Sequence, residues 1–561
     1  MSVDYDGEPQ QQQLDSGIAG GGVTVKPGCA LLALLMTILA MVYVYVHYRY
    51  VYRRHGEPPL LSGTIPWWGH AATFGKDPCQ FVTDMKKKHG SVFTVVAAGN
   101  RVLLLCDYRH VVAFQRESKA LSGAELKMEM TAKIFGAQMA RADQVLLQDH
   151  RASYINHLSR APLAELVSAY QDTLRSFLCL PEVPGCTAPR HNPYDVEAEL
   201  ELTPGNKQWQ ILDLCSFVSW TTFAGAADAI FGDGAYSPIV LEDYQKFDDN
   251  VLLLLGGLPS WLPAIASSLR ARQRLVEHLS KKRKNMSTLM MHRREQFTTS
   301  SAGVNMADLH VHNMAFLFGL VANTSPAIFW TLLHLVQRPD VIDEIRQEIH
   351  DIIKSNGSTD VGNAPASAEM CDPSQHHLSS NPDVLREQLQ SMVKLDSLIN
   401  EMFRTCSAPL LGRIALKDCT LQLPDQKAPI HIRKGDRVCV ATHALHTQEQ
   451  IYGDGMEQFQ WDRFLTPDRL EPRDFRDRES GEKVRHHLLP FGCGTTLCPG
   501  RHFARDEIKV YMATMVLCFD IKAVESDQAV PRFDYPRSTI GVIPPLAGDQ
   551  YPVYIRRKQF S

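Results

Sequence analysis

The sequence lacks a surplus of basic charge, and this absence excludes one large class of partners. Its 561 residues carry 58 lysines and arginines against 62 aspartates and glutamates, which gives a formal net charge of −4. Both signs are mixed along the chain, so there is no basic patch of the kind that binds phosphate backbones. We therefore exclude nucleic acid as a partner.

The cysteines lack the spacing of metal-binding fingers, although the chain contains 13 of them. An odd number of scattered thiols is typical of a reducing compartment, whereas secreted disulfide frameworks use even numbers. Most of these cysteines are expected to be ordinary buried thiols. Because 44% of the residues are hydrophobic, the chain has enough apolar side chains for a sizeable core.

Residues 28–48 contain no Asp, Glu, Lys or Arg, and almost all of them are apolar or aromatic. A helix of about 20 such residues is long enough to cross a bilayer. A cleaved signal peptide is the alternative interpretation. Signal peptides have a basic front end, however, and here Asp4, Asp6 and Glu8 stand before the apolar run. The sequence therefore favours a transmembrane anchor at residues 28–48.

Arginines at positions 49, 53 and 54 directly follow this span. The positive-inside rule then predicts a single pass, with residues 1–27 as a luminal tail and the rest of the chain in the cytosol. Prolines at positions 58, 59 and 66 disfavour helix, so residues 49–70 are predicted to form a stiff Pro-rich hinge. Residues 71–561 would form one large domain, which faces the reducing side of the membrane.

The predicted domain at residues 71–561 combines mostly helical patterns with a smaller β-rich part. Residues 77–90 have the periodicity of an amphipathic helix, and residues 91–106 are typical of two short strands around a Gly-Asn turn. The longest apolar helix candidate covers residues 311–337, where Pro326 predicts a distortion rather than an end. The expected fold class is mainly α with a smaller β-rich subdomain.

Three other segments have different patterns. Residues 180–209 and 355–382 are rich in Pro, Gly, Ser, Asn and Asp without periodicity, which predicts surface loops. Residues 251–265 form a short apolar stretch with two interpretations: a segment that dips into the membrane and admits a lipid, or a buried helix. The pattern alone favours neither.

The strongest chemical signal is the segment PFGCGTTLCPG, residues 490–500. In it Phe491, Gly494, Cys498 and Gly500 follow the spacing F-x-x-G-x-x-x-C-x-G. The spacing resembles the haem-thiolate loop of cytochromes P450, and the glycines allow a tight turn and close approach to a flat ring. The resemblance implies that Cys498 binds the haem iron, where a thiolate ligand favours cleavage of the O–O bond. The alternative is an ordinary buried thiol in a glycine-rich turn.

Glu401 and Arg404 stand three residues apart, so they share one face of a predicted helix. Alone this is a weak signal, because exposed Glu-Arg pairs are common and stabilise helices by only about 0.2–0.5 kcal/mol. Arg463, in the segment FQWDRF, follows the pair and precedes Cys498. The order resembles the Glu-Arg-Arg network of cytochromes P450, which implies a buried charge network that holds the cysteine loop.

Ala322-Asn323-Thr324 lies in the long apolar helix, where cytochromes P450 usually have an acid followed by threonine. The hydroxyl of Thr324 can bind dioxygen or an ordered water, and Asn323 can orient such a relay without titrating. In the alternative interpretation both are ordinary helix residues, with Thr324 bonded to a backbone carbonyl. Since an apolar helix has little reason to bury two polar side chains, we favour a catalytic role.

Segments along nearly the whole chain resemble one branch of the cytochromes P450. The branch contains the bile-acid sterol hydroxylases (cholesterol and oxysterol 7α-hydroxylases and sterol 12α-hydroxylase) and prostacyclin synthase. Two departures fit it: Thr496 stands where most relatives have an arginine for a haem propionate, and Trp461 replaces the proline of F-x-P-x-R-F. The W-x-x-x-R helix is also missing, with Arg151 or His150 as candidate substitutes. The partners of the haem propionates are left open.

Within this branch the sequence favours a monooxygenase that hydroxylates a sterol or a related lipid. The first alternative is an endoperoxide isomerase similar to prostacyclin synthase, which lacks threonine at the position of Thr324. The second is a non-catalytic membrane protein that binds haem or an oxysterol, which the retained Thr324 also disfavours.

The resemblance also implies the cofactor, the partners and the location. These are haem b (iron protoporphyrin IX), NADPH–cytochrome P450 reductase as electron donor, a sterol or other lipid substrate, and the endoplasmic reticulum membrane. By position in the family, the candidates for the substrate wall are Ala408, Leu410, Leu411, Ile540 and Val542.

Overall fold

The computed structural model describes residues 27–137, 154–178, 209–299, 306–355, 377–537 and 541–558. Of these residues, those up to Tyr52 form one compact unit, and those from Arg53 onward, called the body below, form another. Residues 1–26 of the predicted luminal tail and most of the two predicted loops lie outside the described residues.

Helices make up most of the described chain, as the sequence predicts. They are α1 Pro27–Tyr50, α2 Ala71–Lys76, α3 Pro78–His89, α4 His110–Arg116, α5 Gly123–Phe135, α6 Arg160–Leu178, α7 Leu214–Phe231, α8 Pro238–Asp248, α9 Val251–Leu255, α10 Pro263–Ser280, α11 Thr288–Thr299, α12 Met306–Val336, α13 Pro339–Ser355, α14 Pro382–Ser391, α15 Val393–Cys406, α16 Thr442–His446, α17 Glu449–Tyr452 and α18 Arg501–Cys518.

Helix starts in the body follow local capping chemistry. The Asp77 carboxylate accepts the backbone N–H of Gln80 at 2.9 Å, and Asp213 does the same for Ser216 at 2.9 Å. Pro78 occupies the first turn of α3, where its missing N–H costs no helical bond. The amphipathic helix predicted at residues 77–90 is therefore confirmed as α3.

The strands form three small sheets, which makes the β part the minor one and confirms the expected fold class. The strands are β1 Leu60–Leu61, β2 Val92–Ala97, β3 Asn100–Leu105, β4 Leu121–Ser122, β5 Gln210–Asp213, β6 Leu411–Ala415, β7 Cys419–Leu421, β8 Ile430–Ile432, β9 Arg437–Val440, β10 Phe519–Ala523 and β11 Pro552–Arg557.

The largest sheet has the order β1-β2-β3-β9-β6-β4, the second β10-β11-β5, and the third β7-β8. The predicted hairpin is present as the antiparallel pair β2–β3, with Val95 opposite Val102. Strands β9 and β6 are antiparallel, with Val438 opposite Arg413. This register places the buried side chain of Arg413 in a strand next to the apolar β9 residue Val438.

Helix α12 runs through the core of the body. It packs against α5, α7, α10, α15 and α18, and it continues through Pro326 as expected. Two body segments, Leu214–Phe231 and Leu309–Val336, have the length and composition of membrane spans, but 78% and 67% of their apolar windows are buried. Both are therefore core helices, because a helix that is apolar on all sides must be covered.

The segment predicted as a hinge joins the body from Arg53 onward. Strand β1 pairs in parallel with β2. Glu57, only 3% exposed, accepts hydrogen bonds from Arg433 at 2.5 and 2.8 Å and from Arg101 at 3.2 Å. A free hinge would leave these two buried guanidinium groups without this carboxylate. The prediction of a hinge over residues 49–70 is therefore corrected: its larger part is fixed to the sheet.

The apolar stretch 251–265 is not one buried helix. Its residues form the short helix α9, a turn, and the start of α10. Val251 and Leu254 are buried, whereas Leu258 and Trp261 are 45% and 77% exposed. The helix interpretation is thus wrong for the second half of the stretch, because two glycines follow Leu255 and end the helix.

Candidate active site

The cysteine loop, residues 490–500, brings Cys498 to the N-terminal end of α18. The carbonyl of Phe491 accepts the backbone N–H of Cys498 at 2.9 Å. The Phe491 ring packs edge-on against Phe403 of α15, with 5.1 Å between centroids. Gly494 has a φ of 57°, a left-handed conformation that glycine adopts without strain. The hydrogen bond between Cys498 and Phe491 therefore closes the loop, and the Phe491 ring fixes it to α15.

The charge state of Cys498 depends on opposing effects. Burial raises the pKa of the Cys498 thiol, whereas the backbone N–H of Gly500 and the positive charges of Lys127 and Arg501 lower it. Burial is the largest of these effects, so the pKa of Cys498 lies above its usual value. A thiolate at this position needs a further positive charge on the sulfur, which a coordinated metal ion supplies.

Glu401, Arg404 and Arg463 meet as a buried network, and each is at most 4% exposed. Arg404 donates to both carboxylate oxygens of Glu401, at 2.7 and 2.8 Å. The Arg463 Nε lies 3.1 and 3.2 Å from the same oxygens. Glu401 also accepts the backbone N–H of Gln460 at 2.8 Å. The carboxylate of Glu401 thus accepts hydrogen bonds from two guanidinium groups and from the backbone of the segment that contains Gln460.

The network is linked to the cysteine loop through one histidine. Arg404 donates to the backbone carbonyl of His446 at 3.0 Å, and the Nε2 atom of His446 accepts the backbone N–H of Leu489 at 3.0 Å. Leu489 precedes Phe491 by two residues. Burial lowers the pKa of His446 to about 3, so its ring is neutral and can accept this hydrogen bond.

Asn323 and Thr324 occupy the middle of α12, and their side chains have different surroundings. The Oδ1 atom of Asn323 accepts the backbone N–H of Val542 at 3.4 Å. A Cβ added to Gly541 would lie 1.9 Å from that oxygen. Thr324 is 4% exposed and faces Glu507 of α18. Asn323 therefore holds the chain near the C-terminus, whereas Thr324 stands beside an acid.

Glu507 is a functional candidate that the sequence analysis missed. Its side chain is completely buried. Burial raises its pKa well above the usual value, and the hydroxyl of Thr324 only partly offsets that effect. Burial therefore favours the neutral, protonated form of this carboxyl group, which lies next to Thr324. Its only sequence signal is an acidic residue directly before the apolar run of α18.

Arg413 of β6 is the second candidate that was missed. It is fully buried, and its Nη1 donates to the carbonyl of Phe114 at 2.7 Å. Its Nε and Nη2 atoms have no acceptor among the described residues. A Cβ on Gly494 of the cysteine loop would lie 3.1 Å from Nη2. A buried guanidinium with two free donors needs an anion, and the carboxylate of a haem propionate fits this requirement.

We expect Arg413→Gln to weaken haem retention. The lost charge-assisted hydrogen bonds should speed haem loss about tenfold. The protein without haem should become more stable, because an unpaired buried charge is removed. Haem transfer to an acceptor protein and urea unfolding of the haem-free chain measure the two effects.

The matched control for this variant is Arg437→Gln in the neighbouring strand β9. Arg437 is 29% exposed and pairs with Glu129 at 3.3 Å, so its loss should leave haem retention unchanged. Equal haem loss from both variants would assign the effect to the sheet rather than to Arg413.

Two of the predicted wall residues are brought together at the same place as Asn323. Ser407 and Val542 form an isolated antiparallel bridge, and the backbone N–H of Ala408 donates to the carbonyl of Gly541 at 2.5 Å. Ala408 and Val542 are 6% and 5% exposed. The chain that follows α15 and the chain near the C-terminus therefore meet against α12.

The other predicted residues are less informative. Leu410 packs with the apolar cluster under α3, and Leu411 packs with the cluster around Phe114. Ile540, Arg151 and His150 lie outside the described residues.

Comparisons with known proteins give a consistent result. The family model for cytochrome P450 matches residues 263–547, a range that contains Thr324, Glu401 and Cys498. The chain is 28% identical to cytochrome P450 7A1 of Rattus norvegicus over 510 residues, 88% of this chain and 93% of that protein. It is 28% identical to cholesterol 7-alpha-monooxygenase of Cricetulus griseus over 88% of this chain and 92% of the relative.

A third relative has a different named reaction. The 7-alpha-hydroxycholest-4-en-3-one 12-alpha-hydroxylase of Homo sapiens is 27% identical over 88% of this chain and 92% of its own length. The predicted resemblance to the sterol hydroxylase branch is thereby confirmed. The cysteine loop, the buried Glu-Arg-Arg network and the match of the family model agree, and we conclude that this chain belongs to the cytochrome P450 family of haem-binding monooxygenases.

Proposed function

We propose that this monooxygenase hydroxylates a sterol or a closely related lipid, with dioxygen as oxidant and electrons from NADPH through cytochrome P450 reductase. The observation that carries the proposal is the similarity over 88% of the chain to relatives named as hydroxylases of cholesterol and of a cholestenone. Thr324 supports the oxygen-dependent reaction, since an isomerase of endoperoxides has no dioxygen to protonate.

The proposed roles of the residues follow from their positions. Cys498 and Arg413 would hold the haem, which would supply the oxidising chemistry, and the protein would orient the substrate and deliver protons. Thr324 positions the proton that Glu507 holds behind it. Asn323 fixes the backbone at Gly541 and Val542, which we propose as one wall of the substrate chamber together with Ala408. The Glu-Arg-Arg network keeps the cysteine loop in place.

We also propose that the enzyme is a single-pass protein of the endoplasmic reticulum membrane with its catalytic domain in the cytosol. Helix α1 contains the predicted anchor, and most of its described side chains are exposed, including Leu31 and Tyr43. Exposed apolar side chains also occur in the body at Trp67, Trp68 and Trp261. Such residues are typical of contact with a lipid interface.

The test is a substrate screen followed by a turnover assay with a threonine variant. Changes in haem absorbance would be measured with cholesterol, oxysterols, bile-acid intermediates and eicosanoids. We expect a sterol to bind and to be hydroxylated only with NADPH, reductase and dioxygen. In Thr324→Ala the hydroxylation rate should fall at least about a hundredfold, because proton transfer by a positioned group contributes that much. NADPH oxidation should persist.

The control is Thr331→Ala, seven residues further along α12. Thr331 is fully buried, and its hydroxyl donates to the carbonyl of Ala327 at 2.7 Å, so its loss should leave turnover nearly unchanged. Product formation from an endoperoxide without NADPH and dioxygen, and no hydroxylation of any sterol, would contradict the proposal.

A further inference from the structure

One arginine in the body is shared by three aspartates from two separate elements. Arg537 ends the short 3-10 turn Tyr535–Arg537 and donates to Asp248, the last residue of α8. Asp249 lies 3.4 Å and Asp534 3.9 Å from the Nη1 atom of Arg537. The side chains of Arg537 and Asp248 are each 19% exposed. These ion pairs connect the end of α8 to the chain near the C-terminus.

The α8 side of this connection leads into an exposed apolar segment. Helix α9 starts at Val251, three residues after Asp248, and packs against α5 and against the 535–537 turn. Leu252 and Leu253 are 39% and 36% exposed, and Trp261 further along is 77% exposed. These exposed side chains offer an apolar surface to a lipid phase or to an apolar ligand.

The other side of the connection leads to the candidate active site. Arg537 is four residues from Gly541, whose carbonyl accepts the backbone N–H of Ala408 at 2.5 Å. The next residue, Val542, donates to Asn323 of α12. The chain that Arg537 holds is thus the same chain that borders the middle of α12, next to Thr324. Helix α5, on which α9 rests, also contacts α12 and the 494–496 turn of the cysteine loop.

We propose that Arg537 and the aspartates around it are the latch of the lipid entrance: α8 and α9 must part from the 535–537 turn before a bulky apolar ligand can reach the haem. The inference rests on the proposed function in that it assumes an apolar substrate. Breaking the latch should change how fast ligands enter and leave, and it should change equilibrium affinity little, because the ion pairs do not contact the ligand.

The experiment measures the binding kinetics of clotrimazole, a bulky apolar azole whose nitrogen binds haem iron, by stopped-flow absorbance on the haem-loaded protein. In Arg537→Gln we expect both the association and dissociation rates to rise about fivefold, the upper range for a partly exposed ion pair. The equilibrium constant should change less than about twofold, since both rates change together. Unsubstituted imidazole, which is small, should bind to wild type and variant at the same rate.

The matched control is Arg532→Gln, an arginine of the same region whose partner is Asp549 at 2.8 Å rather than a residue of α8. This variant should bind clotrimazole as wild type does. Asp248→Asn should reproduce Arg537→Gln, and the double variant should be no faster than either single one, because all three break the same pair.

A measurement on the wild-type protein tests the same proposal if these substitutions prevent folding. High salt screens partly exposed ion pairs, so clotrimazole rates of the wild type should rise with salt while imidazole rates stay constant. Unchanged clotrimazole rates in Arg537→Gln, equal acceleration in Arg532→Gln, or salt-independent rates in wild type would each overturn the latch. Because clotrimazole needs only haem and the entrance, these results do not depend on whether a sterol is the substrate.

Discussion

In Cys498→Ser we expect the thiolate-type spectrum of the reduced, carbon-monoxide-bound protein to disappear and turnover to fall more than about a thousandfold, as for other groups that act directly in the chemistry. The serine hydroxyl would stay protonated at this position, so the haem would lack the anionic ligand that Cys498 would provide. Absorbance spectroscopy and product analysis measure the two losses.

The control for this variant is Cys493→Ser in the same loop. Cys493 is 4% exposed and packs in the apolar cluster around Phe114, and burial raises the pKa of its thiol. This variant should keep the thiolate spectrum. A thiolate spectrum that survives in Cys498→Ser would show that Cys498 is not the thiolate ligand and would contradict the proposed role of the cysteine loop.

The second large effect is expected for Glu401→Gln, which keeps the shape of the side chain and removes its charge. Arg404 and Arg463 would then be buried without a counter-charge, and we expect the free energy of unfolding to fall by about 3–5 kcal/mol. Haem should be lost more easily as well, because Arg404 supports His446 and, through it, Leu489 before the cysteine loop.

Denaturant unfolding followed by haem absorbance measures this change. The control is Glu344→Gln, whose carboxylate pairs with Lys394 and Arg469 but is 33% exposed, so its loss should cost less than about 1 kcal/mol. Similar losses of stability in the two variants would contradict a special role for the buried network.

The sequence predicted the fold class and the cysteine loop because both depend on local patterns. Helical and strand periodicities are properties of short segments, and the spacing of Phe491, Gly494, Cys498 and Gly500 lies within ten residues. The order of Glu401, Arg404 and Arg463 also indicated the network that the structure contains. The family match then confirmed the family prediction.

The functional roles of Arg413 and Glu507 could not be predicted from the sequence. Both roles are inferred from the burial of a charged side chain, and long-range packing determines that burial. Arg413 lies in a strand whose neighbours come from distant segments. Glu507 lies in α18, which packs against α6 and α12, and these helices are far apart in sequence. A charged residue in such a place is visible in the sequence only as an exception to an apolar pattern, and many exposed residues give the same signal.

The contact between Asn323 and Gly541 makes the identities of these two positions depend on each other. Gly541 has a φ of 93°, and any Cβ there would overlap the Asn323 amide. A larger residue at 541 is therefore acceptable only after 323 has become smaller. The order in which mutations can accumulate at this pair is restricted, so the two positions should vary together among homologous enzymes during evolution.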